Sequence, residues 1–133
     1  MKKIKRVVAS LVTLAAISAL GVSASAYKDP DFNFYIGEDS GNWSKAAVKE
    51  DSLNTAGVHT RDGTVSSSKP LYATVYSAMI PGNTYRVSTT AILKSKSADE
   101  TMIYTDYYAE GEKYYLRGET GAYSLTAEGY WNP

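Results

Sequence analysis

Short segments in which apolar and polar residues alternate recur through the chain after residue 30, and such segments are typical of β-strands with one buried face. In the first of them, Phe32, Phe34 and Ile36 fall on one face of the strand. The segments are rich in Tyr, Thr and Val and are bounded by residues that favour turns. The predicted strands are Asp31–Ile36, Gly57–Thr60, Leu71–Ile80, Thr84–Leu93, Thr101–Tyr108, Lys113–Arg117 and Ala122–Glu128.

Two pairs of neighbouring segments are predicted to form β-hairpins. Leu71–Ile80 and Thr84–Leu93 are joined by Pro81-Gly82-Asn83, in which proline presets the first central position of a turn and glycine accepts the positive φ of the next. Thr101–Tyr108 and Lys113–Arg117 flank a second stretch that contains glycine. A hairpin is expected at each place.

This spacing predicts an all-β fold, a small antiparallel β-sandwich of about six or seven strands. No segment after the N-terminal region has the period of an amphipathic helix of useful length. The 133 residues contain no cysteine, so no disulfide can supplement the core, and packing alone must stabilise the fold. Twelve tyrosines, two tryptophans and two phenylalanines are present, and many of these rings are expected in the core.

Residues 1–26 are predicted to form a secretory signal peptide. Four basic residues precede an uncharged stretch, Val7–Val22, and Ala24-Ser25-Ala26 supplies the small side chains that a signal peptidase accepts, with cleavage after Ala26. The uncharged stretch is shorter than the roughly 20 apolar residues of a membrane span. Cleavage leaves residues 27–133, the size of a single domain.

Cleavage also changes the charge of the protein. Four of the 14 basic residues leave with the signal peptide and all 14 acidic residues stay, so residues 27–133 carry a net charge of −4. A nucleic-acid partner is not expected, because it would need a clustered basic surface. The sequence predicts a secreted protein, either free or held non-covalently at the cell wall, with no membrane span after signal removal.

Catalytic motifs are scarce. His59 is the one histidine, and the mature chain has no G-x-S-x-G nucleophile motif. Glu110 and Glu112 lie in a predicted turn, where acidic residues are common. A small hydrolase would need His59 and a carboxylate or a serine to meet in one cleft, and we predict no catalytic residue and no cofactor.

A calcium site is a further possibility at the start of the first strand. Asp29, Asp31 and Asn33 are spaced like the first ligands of a calcium-binding loop, and oxygen ligands suit this ion. The pattern then departs from such a loop, because Phe34 occupies the position of the glycine that makes the sharp turn and Ser40 that of the bidentate glutamate. We therefore predict no metal site, and acidic residues that begin a strand explain the pattern better.

Paired aromatic residues are the candidate binding residues. Neighbours in a strand point to opposite faces, so each pair is expected to place one ring inward and one outward. Outward rings either stack on sugar rings, anchor a protein interface or stabilise the sheet by cross-strand contacts. The candidates are Tyr107, Tyr108, Tyr114, Tyr115, Tyr130 and Trp131.

The segments Tyr114–Gly118, Glu119–Tyr123 and Gly129–Pro133 resemble the end of small exported proteins of Gram-positive bacteria that form an uncharacterised family and close on a Gly-x-Trp-x-Pro motif. The layout of a signal peptide before a cysteine-free β-rich body is also similar, more weakly, to lactococcin-type bacteriocins. Neither resemblance implies an enzyme.

Together these features predict a secreted, non-catalytic, β-rich protein that acts by surface contact with a cell-envelope component, such as a glycan, or with a protein partner. A bacteriocin-like antimicrobial protein is the first alternative, and a small secreted hydrolase is the second.

Overall fold

The computed structural model describes residues 30–80 and 83–133, and the side chains of residues 78–84 lie outside that description. These residues contain ten β-strands and no helix, and the strands form two antiparallel sheets. The predicted all-β fold is confirmed, with more and shorter strands than the six or seven expected. The strands are β1 Asp31–Ile36, β2 Gly41–Trp43, β3 Ala47–Val48, β4 Thr55–Gly63, β5 Leu71–Ile80, β6 Asn83–Arg86, β7 Ala91–Leu93, β8 Asp99–Ile103, β9 Lys113–Glu119 and β10 Leu125–Asn132.

The four-stranded sheet has the order β1-β10-β4-β8. One of its two inner strands, β10, pairs with β1 on one side and with β4 on the other. A bulge interrupts the second pairing, where Gly129 opposes Thr60, Glu128 opposes Asp62, and Arg61 has no partner in the register. The bulge lets β4 bend around the core.

The six-stranded sheet has the order β2-β9-β5-β6, with β3 also paired to β9 and β7 also paired to β5. Its centre is the long pairing of β9 with β5, in which Thr74 opposes Arg117 and Tyr76 opposes Tyr115. The short strands β2 and β3 occupy one side of β9, and β6 and β7 occupy the far side of β5. Two strands therefore hold most of this sheet together.

One hydrophobic core lies between the sheets, because each long strand buries alternate residues. The alternation predicted for β1 is confirmed, since its three apolar residues are buried. Gly118 lets the sheets approach closely, because a Cβ there would lie 2.6 Å from the ring of Phe34. Burial of each large apolar side chain contributes roughly 1.5–3 kcal/mol. The largest fully buried apolar side chains are Trp131, Tyr114, Phe34, Ile36, Leu71, Leu93, Met102 and Leu116.

The predicted arm Thr84–Leu93 is not one strand but two, β6 and β7. Between them the chain leaves β5 and joins the end of β8, where Thr89 N donates to Ile103 O and Thr105 N donates to Val87 O, both at 2.9 Å. The hydroxyl of Ser88 replaces the lost pairing by accepting from Val75 N at 2.9 Å. This crossing links the two sheets along one side of the sandwich. The Pro81-Gly82 part of the predicted turn lies outside the described residues.

The second predicted hairpin is wrong. Its first arm corresponds to β8, which pairs with β4, whereas its second arm is β9, which pairs with β5 in the other sheet. The connection crosses between the sheets because Tyr104 is buried in the core and stacks on Tyr108, with ring centroids 5.0 Å apart. Two aromatic residues in this segment serve the core rather than a strand pairing.

A buried lysine lies beside this connection. The side chain of Lys49 is fully buried after β3, and its ammonium group donates to Asp51 Oδ1 at 2.8 Å and to Pro133 O at 3.2 Å. The same nitrogen lies 4.9 Å from the ring centroid of Tyr104 and 5.8 Å from that of Tyr108. A charge so far from water is tolerated only when anions, carbonyls and ring faces surround it.

Candidate binding surface

The six candidate aromatic residues fall into three places and do not form one site. Tyr114 and Trp131 are buried in the core, so neither ring is available to a partner at the surface. Their neighbours Tyr115 and Tyr130 point outward, which confirms that each of these two pairs places one ring on each face. The burial of Tyr114 and Trp131 follows from their positions opposite the core in β9 and β10.

Tyr107 and Tyr108 lie in the connection after β8. Tyr107 is 67% exposed, whereas Tyr108 is half-buried against Tyr104 and the ammonium group of Lys49. Tyr108 therefore supports the core more than it offers a surface. Tyr107 makes no ring-stacking or edge-to-face contact with the other described aromatic residues.

Tyr130 lies on the outer face of the four-stranded sheet, where its ring stacks on the imidazole of His59 at a centroid distance of 4.6 Å. A second contact also holds the imidazole of His59, since its Nδ1 lies 2.6 Å from Asp99 Oδ1. Tyr130 is thus engaged by a residue of β4. It shares no surface with Tyr115, which belongs to the other sheet.

Tyr115 lies in an aromatic cluster on the outer face of the six-stranded sheet. The ring of Trp43, which reaches from β2 across β9, makes edge-to-face contacts with Tyr76 at 5.0 Å and with Tyr115 at 6.4 Å. Trp43 is 40% exposed, and both tyrosines are half-buried. Such pairs gain about 0.5–1.5 kcal/mol beyond their buried area, which holds the three rings in fixed positions.

Polar groups surround these rings. The guanidinium carbon of Arg117 lies 4.7 Å from the ring centroid of Trp43, and Nε of Arg117 donates to Glu119 Oε2 at 2.7 Å. On the other side of Arg117 in the sheet, the hydroxyls of Thr74 and Thr90 are 2.8 Å apart. Arg86 donates to Thr90 Oγ1 at 3.1 Å. Flat rings therefore adjoin donors and acceptors in a single layer.

We call this surface the aromatic face, and it consists of the outward side chains of β2, β5 and β9 with Arg86. Among the described residues it is an open surface, and of its side chains Trp43 borders a hollow of about 520 Å³ on the side of β1. Rings that are held in place and bordered by hydrogen-bonding groups can stack on sugar rings while the polar groups bind hydroxyls. Its residues are Trp43, Tyr72, Thr74, Tyr76, Arg86, Lys113, Tyr115, Arg117 and Glu119, among which Thr74 is buried beneath its neighbours.

Sequence reasoning found one member of the aromatic face, Tyr115, and missed the rest. Tyr72, Thr74 and Tyr76 recur at every second position of β5, and this spacing already predicts three side chains on one face. The sequence does not reveal that β5 and β9 are neighbours or that Trp43 lies beside them. Position in the sheet, rather than proximity in sequence, assembles the surface.

His59 and Asp99 are brought together by the pairing of β4 with β8. His59 borders a shallow hollow of about 220 Å³, and Asp99 is not part of the lining of that hollow. Its lining contains neither serine nor cysteine, and Thr101 supplies a hydroxyl there. The arrangement orients an imidazole, as a general base requires. The lining places the carboxylate of Asp51 beside the same hollow as His59 and contains no serine, so the hydrolase alternative stays a prediction.

The described residues contain no group of three or more histidine, cysteine, aspartate or glutamate side chains that could hold a metal ion. Asp31, one of the residues considered for calcium, instead lies 3.3 Å from a guanidinium nitrogen of Arg61. Asn33 is exposed on the same strand, and Asp29 lies outside the described residues.

Comparison of the chain with protein-family models, with curated proteins and with solved structures finds no match. Within residues 30–80 and 83–133, no helix has the length and apolar character needed to cross a membrane. The surface chemistry of the chain itself is therefore the guide to its function.

Proposed function

We propose that this protein is a secreted, non-catalytic binding protein that contacts glycan chains of a cell envelope through the aromatic face. The observation that carries the proposal is the cluster of Trp43, Tyr76 and Tyr115, which presents fixed rings on an open sheet surface beside Arg117 and Glu119. A flat, open surface suits an extended polymer better than a small molecule, because small ligands are usually bound in concave pockets.

The geometry of the face supports stacking on sugars. The ring of Trp43 contacts both Tyr76 and Tyr115, so three neighbouring rings offer contacts to more than one sugar unit. The hydroxyl of Thr90, which is held by the buried Thr74, and the carboxylate of Glu119 provide acceptors for sugar hydroxyls. Weak contacts repeated along a polymer add up, so a modest affinity at each unit is sufficient for retention.

The proposal includes the compartment expected from the signal peptide, because envelope glycans lie outside the membrane. Residues 27–133 would reach them after export, and non-covalent binding would hold the protein at the wall. The resemblance of Gly129–Pro133 and the preceding segments to exported proteins of Gram-positive bacteria agrees with that setting. The bacteriocin-like alternative stays a prediction.

The first test is binding of purified residues 27–133 to insoluble cell-wall material from a Gram-positive bacterium, measured by co-sedimentation. Trp43→Ala and Tyr115→Ala remove rings from the aromatic face. Because each loses a stacking contact worth about 1–2 kcal/mol, we expect the affinity to fall about tenfold.

Tyr35→Ala is the matched control. Tyr35 is 76% exposed and is the most exposed aromatic residue described, but it lies on β1 of the other sheet. This variant should bind as the unmodified protein does, and circular dichroism melts verify that all three variants are folded. Equal loss in all three variants, or no binding of the unmodified protein, would contradict the proposal.

A further inference from the structure

We propose that the glycan bound by the aromatic face carries carboxylate groups, as uronic-acid and other acidic sugars do. This inference rests on the proposed function and concerns the charge of the ligand rather than the existence of binding. It comes from the distribution of charged side chains over the two outer faces of the sandwich and from the geometry of two arginines.

The outer face of the six-stranded sheet is basic. Lys113, Arg117 and Arg86 occupy outward positions in β9 and β6, and Glu119 is the acidic residue among the outward positions of the paired strands. Three cations thus face one anion on the surface that carries the aromatic cluster. Residues 27–133 as a whole carry ten basic and 14 acidic side chains, so this local excess runs against the composition.

The outer face of the four-stranded sheet has the opposite sign. Asp31, Asp62, Asp99 and Glu128 lie at exposed positions of its strands, whereas Arg61 is the arginine that accompanies them. Charges of opposite sign are therefore separated onto opposite sides of the molecule. A polyanion is attracted to the aromatic face and repelled by the other one, which orients the protein during encounter.

Arg117 is prepared to receive a planar anion. Its guanidinium carbon lies over Trp43 and its Nε is occupied by Glu119, while its two terminal nitrogens make no hydrogen bond to another described residue. Stacking on a ring fixes the plane of the guanidinium group and leaves its edge available. The edge of a guanidinium fork matches the two oxygens of a carboxylate.

Arg86 provides a second cation, and two hydrogen bonds hold its side chain in place. Its Nε donates to Ser88 O and one terminal nitrogen donates to Thr90 Oγ1, both at 3.1 Å. Thr90 in turn contacts Thr74, which is paired with Arg117 in the sheet. The two arginines therefore flank a pair of hydroxyl groups. This alternation of cation, hydroxyl and ring complements a sugar that carries both hydroxyls and a carboxylate.

The test uses the same cell-wall material in three forms: untreated, with its carboxyl groups converted to amides, and extracted with hydrofluoric acid to remove phosphodiester-linked polymers. We expect amidation to weaken binding about tenfold, because it removes charge-assisted hydrogen bonds worth about 1.5–3 kcal/mol. Acid extraction should leave the affinity within about twofold.

The protein arm compares Arg117→Gln with Arg61→Gln, which removes an arginine from the opposite face. Arg117→Gln should lower the affinity for untreated walls about tenfold and should reduce the effect of added salt, because one ionic contact is lost. Arg117→Lys keeps the charge but not the planar fork, so its affinity should lie between that of Arg117→Gln and that of the unmodified protein. Its thermal melt shows whether the variant is folded. Arg61→Gln should bind normally.

The outcomes separate this inference from the proposed function. If binding survives both amidation and acid extraction, the ligand is a neutral glycan and the carboxylate inference is overturned while the proposed function stands. If acid extraction alone abolishes binding, the anionic groups are phosphates and the inference is again overturned. If untreated walls are not bound at all, the proposed function itself fails.

Discussion

At the scale of single residues, Lys49 shows how this fold accommodates a charge in its interior. Its ammonium group has no contact with solvent, whereas the partner carboxylate of Asp51 is half-exposed. The ammonium group of Lys49 therefore needs its partner to compensate its charge more than the carboxylate of Asp51 does. Asp51 can be hydrated without Lys49, but Lys49 in place cannot be hydrated without a change of structure.

This asymmetry gives the first stability prediction. Asp51→Asn leaves the buried ammonium group without its anion and should lower the free energy of unfolding by about 2–3 kcal/mol. Lys49→Met keeps an unbranched apolar stem in the same space and returns Asp51 to water, so it should cost about 1 kcal/mol or less. Urea denaturation followed by circular dichroism measures both changes.

The double variant Lys49→Met with Asp51→Asn provides the control, since removal of the ammonium group should relieve the cost of Asp51→Asn. Equal losses for the two single variants that add in the double variant would show that burial of the ammonium group is not the cause.

Tyr104 presents a different residue-level imbalance. Its hydroxyl is buried and has no hydrogen-bond partner among the described residues. A buried donor without a partner costs roughly 1–3 kcal/mol, and the ring itself packs on Tyr108 and Tyr114. The ring of Tyr104 therefore stabilises the core by packing, whereas its hydroxyl makes no described hydrogen bond.

At the scale of elements, the alternation of buried and exposed residues was visible in the sequence for β1, β9 and β10, but the neighbours of these strands were not. Phe32, Phe34 and Ile36 identify β1 and its buried face without any knowledge of the fold. Tyr114 and Tyr115 likewise separate into core and surface by parity alone. The pairing of β9 with β5 is set by which apolar faces meet across the core, and no local pattern encodes it.

The division of the second hairpin arm illustrates the same limit. Its alternation continues from Tyr85 to Leu93, so the sequence favours one strand. The hydrogen bonds from Thr89 N to Ile103 O and from Thr105 N to Val87 O form instead of continued pairing along β5. Tertiary pairing therefore overrides the local preference, which for strands is weak.

The bulge between β10 and β4 gives an element-level prediction. A Cβ at Gly129 would overlap the carbonyl oxygen of His59, so Gly129→Ala must displace the backbone of β4. We expect a loss of stability of roughly 1–3 kcal/mol, as for overpacked sites. Thermal melts of the purified variant measure the change.

Gly37→Ala is the matched control, because no atom lies within 4 Å of a Cβ at that position. Its melting temperature should stay close to that of the unmodified protein. A Gly129→Ala variant as stable as Gly37→Ala would mean that the bulge is free to adjust.

At the scale of the whole molecule, the tyrosine-rich core makes the free energy of unfolding decrease as the pH rises through the alkaline range. Burial raises the pKa of Tyr104 and of Tyr114 above the ordinary tyrosine value, and the N–H of Ala109 partly offsets the effect at Tyr114. Burial also raises the pKa of Tyr123. In each case the folded state holds the proton more tightly than the unfolded state.

The sign of the pH dependence follows from linkage. Below a pH of about 10 both states keep these protons and stability is unaffected; above it the unfolded state releases them first, so stability falls as the pH rises toward the folded-state pKa. The urea midpoint should therefore be steady from pH 7 to pH 9 and should decrease above pH 10. Tyr104→Phe should be at least as stable at pH 7 and should lose less at high pH.

An unchanged pH profile in Tyr104→Phe would assign the alkaline loss to other groups. Tyr35→Phe, which alters an exposed tyrosine on β1, controls for the general effect of removing one ionisable ring.

The aromatic face is also a whole-molecule property. Trp43, Tyr76 and Tyr115 come from three strands separated by more than 30 residues at each step. Composition predicted that exposed aromatic rings would exist, and alternation predicted that Tyr115 would be one of them. Which rings share a surface, and which arginine lies on them, depends on strand order, which a single sequence of this kind does not specify.

The position of β10 between β1 and β4 has a consequence for how the chain comes into being. The first and last described strands are partners, so the four-stranded sheet is incomplete at every earlier stage of synthesis. A chain that emerges N-terminus first from a ribosome lacks the strand that joins β1 to β4 until Leu125–Asn132 has emerged. Pairing over so large a sequence separation is slow. The partly emerged polypeptide therefore cannot complete the four-stranded sheet, and β1 and β4 stay without this shared partner until β10 is available.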